Sequence, residues 1–93
     1  MITAVVLITA ERGALPKIGE ELAAVPGVSE VYSVTGEIDF VVMVRAREHE
    51  ELAEIVTQRI AQVPGVARTQ THVAFRAYSK HDLESAFGMK SPG

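Results

Sequence analysis

Residues 31–44 read Val31-Tyr32-Ser33-Val34-Thr35-Gly36-Glu37-Ile38-Asp39-Phe40-Val41-Val42-Met43-Val44. The run has the pattern of a β-hairpin whose tip is Thr35 to Asp39. Before the tip, Val31 and Val34 mix with Tyr32 and Ser33, which suits a half-exposed strand. After it, Phe40 to Val44 is unbroken and apolar, which suits a strand covered on both faces. Gly36 supplies the positive φ that a tight tip needs and that a β-branched residue adopts only at a cost. Asp39 follows where the chain re-enters the sheet. Gly36-Glu37-Ile38-Asp39 has two readings at this point: an ordinary polar turn, or the rim of a binding site.

Working outward, Ile2 to Ile8 is an apolar run with the character of a buried strand. Leu15, Ile18, Leu22 and Val25 then recur at helical spacing and predict a helix over 14–24, with Pro16 in the first turn. Pro26-Gly27 stops it, and a strand over 28–34 leads into the hairpin. Beyond the third strand, Phe40 to Ala46, the positions Leu52, Ile55, Val56, Ile60 and Val63 predict a helix over 48–62. Glu48, Glu50 and Glu51 favour its positive end. Pro64-Gly65 ends that helix, and a fourth strand alternates from Val66 to about Ala77. Val25-Pro26-Gly27-Val28 therefore recurs as Val63-Pro64-Gly65-Val66. Two β-α-β units in tandem give a ferredoxin-like βαββαβ fold of the α+β class. Its four-stranded antiparallel sheet carries both helices on one face. Strands one and three are expected at the centre, because they are the unbroken apolar runs.

The 93 residues allow one domain, expected over 1–78, followed by a tail over 79–93 with the length for a short helix. A chain this small buries only about 60–65% of its unfolded surface. Yet 47% of its residues are hydrophobic and only 5% aromatic, so the apolar content is mostly Val, Ala, Ile and Leu. Two helices cover one face of the sheet, and an antiparallel strand with a wet second face should alternate. Strands one and three do not. Leu83, Phe87 and Met89 of the tail can fill one end at most. The economical cover is a second copy, sheet against sheet, as in a dimeric α+β barrel. Net charge is −3 with no basic stripe, which argues against direct DNA binding by this chain. Without cysteine there is neither a disulfide nor a thiolate metal site. The apolar runs fall far short of the ~20 residues of a membrane span, and no signal peptide precedes the first strand. A cytoplasmic location is expected.

Candidate chemistry is sparse. His49, His72 and His81 share no metal-ligand spacing, and no nucleophile with a positioned base can be argued. No glycine-rich phosphate loop follows strand one, so no metal, cofactor or catalytic residue is expected. Glu37 and Asp39 would face the same way on a strand, but a solvated tip explains them equally well. Thr69 and Thr71 project from one face of the last strand. They read either as β-formers or as hydroxyls lining a cleft shared with another subunit.

Pro-Gly after each helix, Gly36-Glu37-Ile38-Asp39 at the hairpin and Arg68-Thr69-Gln70-Thr71 in the last strand together resemble a known family. They are similar to the effector-binding RAM domain of the Lrp/AsnC leucine-responsive regulators, over Ile2 to about Tyr78. The resemblance implies dimers paired sheet to sheet and assembly toward an octamer, a tetramer of dimers. It implies an amino-acid effector bound near the hairpin by Gly36, Glu37, Ile38, Asp39, Thr69 and Thr71, with Tyr32 and Val34 as neighbours. It also implies a regulatory partner, a full-length Lrp/AsnC-family regulator, in place of a DNA-binding domain of its own. Two alternatives share the strand order. One is a small α+β-barrel enzyme, a cofactor-independent monooxygenase or isomerase, which needs a deep polar pocket between sheet and helices. The other is an ACT-like amino-acid-binding module, for which Gly13 would be the key glycine.

Overall fold

The two Pro-Gly turns frame the architecture. The structure is a computed structural model and describes residues 1–13 and 15–80. The elements are β1 (Ile2–Ala10), α1 (Leu15–Ala23), β2 (Val28–Ser33), β3 (Phe40–Ala46), α2 (His49–Glu54) and β4 (Val66–Val73). Helical winding continues past α2 as a π turn, Ile55–Arg59, and a 3₁₀ turn, Ile60–Gln62. The strands form one antiparallel sheet in the order β2-β3-β1-β4. The unbroken apolar runs are thus the central strands, as their composition requires. This is the ferredoxin-like α+β fold.

Register decides which residues meet the helices. Ala4, Val6 and Ile8 stand opposite Val44, Val42 and Phe40, and all six are buried. Ile18 and Leu22 of α1 pack on them together with Leu52, Ile55 and Ile60. The alternate residues Val5, Leu7, Val41 and Met43 form the opposite, open face, where each is only half-buried. Glu30 and Tyr32 border that face on β2, and Gln70 and His72 border it on β4.

Each Pro-Gly turn lies under the other repeat's helix. A Cβ on Gly27 would overlap Ile55 Cδ1, and one on Gly65 would come within 2.5 Å of Ile18 Cδ1. Both glycines hold positive φ, +100° and +97°. The repeats differ in one respect. Ile18 and Leu22 are four apart, whereas their counterparts Ile55 and Ile60 are five apart, and all four are buried. On a regular α-helix a spacing of five would point them about 140° apart. The π turn absorbs the extra residue and returns both to the core. The uniform α-helix predicted over 48–62 is corrected accordingly: only 49–54 is α-helical.

Two strand ends also differ from the pattern. β2 stops at Ser33, so Val34 belongs to the hairpin loop. β4 stops at Val73, short of Ala77. The Ala74 N–H still donates to the Thr3 carbonyl at 2.7 Å, which leaves only Ile2 and Met1 beyond it on the β1 side. The helix expected at Ala14 starts at Leu15; Ala14 itself, His81 and the tail residues Leu83, Phe87 and Met89 lie outside the described residues.

Candidate functional site

Three segments converge at the end of the sheet where β1 finishes. The hairpin loop closes with the Val34 N–H donating to the Asp39 carbonyl at 3.0 Å. Asp39 then reaches across to β1. Its N–H donates to the Ile8 carbonyl at 2.8 Å, and its Oδ2 accepts the Ala10 N–H at 2.7 Å. The Glu11 N–H in turn donates to the carbonyl of Gly65, just before β4, at 2.7 Å. Asp39 therefore satisfies a strand-end donor, the sheet's counterpart of a helix cap. Its second oxygen carries no hydrogen bond among the described residues. Gly36 holds φ +112° with open space around it, so backbone conformation and not crowding selects glycine there.

Residues 34–39 are not strand, so the alternation that would pair Glu37 with Asp39 does not apply. Glu37 is exposed, whereas Asp39 and Ile38 are half-buried. Phe40, Ile8 and Thr69 lie in line across β3, β1 and β4. Thr69 is thus two strand spacings, roughly 10 Å, from the hairpin base. Thr69 and Thr71 share the helix-side face with Ile8 and Val6, with Thr69 half-buried and Thr71 exposed. Tyr32 stands on the open face at the opposite edge, opposite Val41. One chain gathers Gly36 to Asp39 and Thr69 at one end, but it leaves Tyr32 on the other side of the sheet. A pocket using all of them needs a second subunit.

Tyr32 Oη donates to Glu30 Oε2 at 2.6 Å. That hydrogen bond and the Glu30 charge push the phenol above its usual value of 10.0. The core beneath both helices is tightly filled, with Ile18, Leu22, Ile55 and Ile60 each at most 1% exposed and no buried polar residue among those described. The deep polar pocket that the enzyme alternative needs is not found there. Space exists elsewhere. An apolar cleft of about 400 Å³ lies between α1 and the hairpin strands, lined by Leu15, Pro16, Gly19, Glu20, Ser33 and Phe40 among others. None of these was a candidate from the sequence. The one signal was Gly19 inside a helical pattern, where glycine costs about 1 kcal/mol against alanine. A Cβ there would sit 3.1 Å from the Phe40 ring, so a close helix-to-sheet approach explains the residue. Among the described residues no helix is long and apolar enough to cross a membrane.

Comparison with known proteins gives this geometry a context. A crystallised protein of Thermus thermophilus, TTHA0845, is 50% identical, with TM-score 0.80 over 86% of this chain and all of that one. The crystal structure of FFRP-DM1 is 33% identical, with TM-score 0.76 over 81% of this chain and all of that one. An HTH-type transcriptional regulator of Pyrococcus furiosus, PF0250, is 41% identical over 59 residues, 63% of this chain but only 39% of its own length. This chain thus matches less than half of that regulator. The model of the Lrp/AsnC ligand binding domain matches residues 3–83, and the chain belongs to the Lrp/AsnC family.

Proposed function

We propose that this domain binds an amino acid at the Gly36–Asp39 hairpin and relays its presence to transcription through assembly of subunits. The observation that carries the reading is the placement of Asp39: a half-buried carboxylate, held by the Ala10 N–H through one oxygen, at the sheet end where Thr69 also lies. The other oxygen is free to take a ligand ammonium in a charge-assisted bond. The Gly36 turn exposes backbone N–H groups that suit the ligand carboxylate. A relative supports the ligand class. The feast or famine regulatory protein Rv3291c of M. tuberculosis, 28% identical with TM-score 0.68 over 86% of this chain, was crystallised with L-methionine.

In this reading copies pair through their open sheet faces, and dimers associate toward an octamer with the effector between them. The domain works in the cytoplasm as sensor or modulator, and contact with DNA belongs to full-length regulators of the same family.

A melting screen against amino acids tests the proposal. A ligand at about a hundred times its dissociation constant adds roughly 2.7 kcal/mol. In a domain this small that is a shift of about 10 °C or more. Asp39→Asn is the discriminating variant, because its amide oxygen still accepts the Ala10 N–H while the charge is gone. It should melt near the parent without ligand and lose the shift with it. If no amino acid moves the melting point, or the variant responds like the parent, the hairpin is only a turn.

A further inference from the structure

We propose that the apolar cleft between α1 and the hairpin strands holds the side chain of the amino acid bound at Asp39, so that the domain selects large apolar effectors. The inference rests on the reading of the hairpin as an effector site, and it adds what that site selects.

Cleft and carboxylate are built from the same two junctions. Ser33 and Phe40 are the last paired residues of β2 and β3, and both line the cleft. Asp39 directly precedes Phe40, and its carbonyl accepts the Val34 N–H that closes the loop above that pair. Asp39 Oδ2 also holds the Ala10 N–H at the end of β1, the strand that leads into α1. Leu15 and Pro16, the first residues of α1, line the cleft in turn. The carboxylate and the cleft thus share one end of the molecule, one residue apart along β3. The cleft lies on the helix side of the sheet, so pairing through the open face leaves it accessible.

The walls decide which side chain fits. Gly19 sends no side chain into the space, where a Cβ would sit 3.1 Å from the Phe40 ring. Leu15 is 38% exposed and Val31 only half-buried, so apolar surface faces the space without cover. The volume of about 400 Å³ falls within the roughly 300–1,000 Å³ of small-ligand pockets. Water gains little from such walls, whereas an apolar side chain is stabilised by each methylene it buries there. Glu20 and Ser33 are the polar side chains of the lining, and the Glu20 carboxylate repels an acidic ligand side chain. The cleft therefore suits leucine, methionine or phenylalanine and rejects aspartate and glutamate. Alanine and serine leave it unfilled.

Calorimetric titration of the full chain with a panel of L-amino acids is the test. Leucine, methionine and phenylalanine are expected to bind about tenfold or more tightly than alanine, with aspartate weakest. Ala23→Leu is the discriminating variant. Ala23 is exposed and lines the cleft at the end of α1 farther from the hairpin. A helical side chain leans toward the N-terminus, so a leucine there fills the cleft toward Leu15. The variant should melt like the parent without ligand, bind phenylalanine and methionine about tenfold or more weakly, and keep the parent's affinity for alanine. Should it melt lower, Ser33→Leu fills the same space from β2 and repeats the measurement. Equal affinities across the panel, a preference for lysine or arginine, or filled-cleft variants that bind phenylalanine like the parent would each overturn the subsite. If Asp39→Asn still abolishes binding in those cases, the hairpin reading stands without the cleft. A chain that binds no amino acid removes both.

Discussion

Gly27, Gly36 and Gly65 all hold positive φ, but for different reasons, and alanine separates them. At Gly36 a Cβ meets nothing, so Gly36→Ala should cost only the strained backbone, about 1 kcal/mol. At Gly27 and Gly65 the added methyl must also displace a buried isoleucine, Ile55 or Ile18. Each of those variants should lose about 2–4 kcal/mol, strain and overpacking together. Urea unfolding of the three variants checks the order; equal losses would mean that the isoleucines yield freely. Tyr32 offers a second residue-level test. Its folded phenol holds its proton above pH 10.0, whereas the unfolded one releases it near that value. The folded state therefore binds more protons there, and the contribution is complete below pH 10 and fades as pH rises further. In a UV titration Glu30→Gln should move the Tyr32 midpoint downward.

At the scale of elements, the π turn is the difference between two otherwise parallel repeats. Thr57 Oγ1 donates to the Ala53 carbonyl at 2.7 Å, a back-bond that bends helices. Arg59 Nη1 reaches the Pro26 carbonyl at 2.8 Å and ties the second helix to the first repeat's turn. If the turn is a one-residue insertion, deletion of exposed Gln58 should leave a continuous α-helix with Ile55 and its partner four apart. The shortened chain is expected to fold, with amide spectra showing regular helical exchange protection through that region. Removing a residue from α1 should unfold the chain instead, because Ile18 and Leu22 already have the right spacing. Loss of the fold in the Gln58 deletion would show that the π turn is required by its surroundings.

For the whole molecule, the proposed pairing of copies turns on the open face. The structure measures only 20 Å across its thinnest direction, which is one helix layer on one sheet. Among the described residues nothing covers the second face, whose apolar centre and polar rim have the anatomy of an interface. Leu7→Lys puts a charge at the middle of that face, opposite Val41, while leaving the helix-side core untouched. It should yield a folded monomer, with dimerisation weakened about a hundredfold or more, since a buried unpaired charge costs about 3–5 kcal/mol. Light scattering and circular dichroism together read the outcome. A variant that remains dimeric would place the interface elsewhere.

By itself the sequence determined the duplicated β-α-β plan, the Pro-Gly stops and the central position of β1 and β3. Those features are local: a helical or strand period, a turn residue, an unbroken apolar run, each legible within a dozen residues. It also singled out the hairpin, because Gly36 and Asp39 are conspicuous at any tip. Tertiary structure alone decided what those residues do. Asp39 is a strand-end acceptor for Ala10, Thr69 stands two strands from the hairpin, and Tyr32 looks out from the other face. The cleft beside Gly19 and the five-residue step from Ile55 to Ile60 likewise exist only once helices meet the sheet. Strand order and register bring together residues far apart in the chain, and a one-residue slip would turn every side chain to the opposite face.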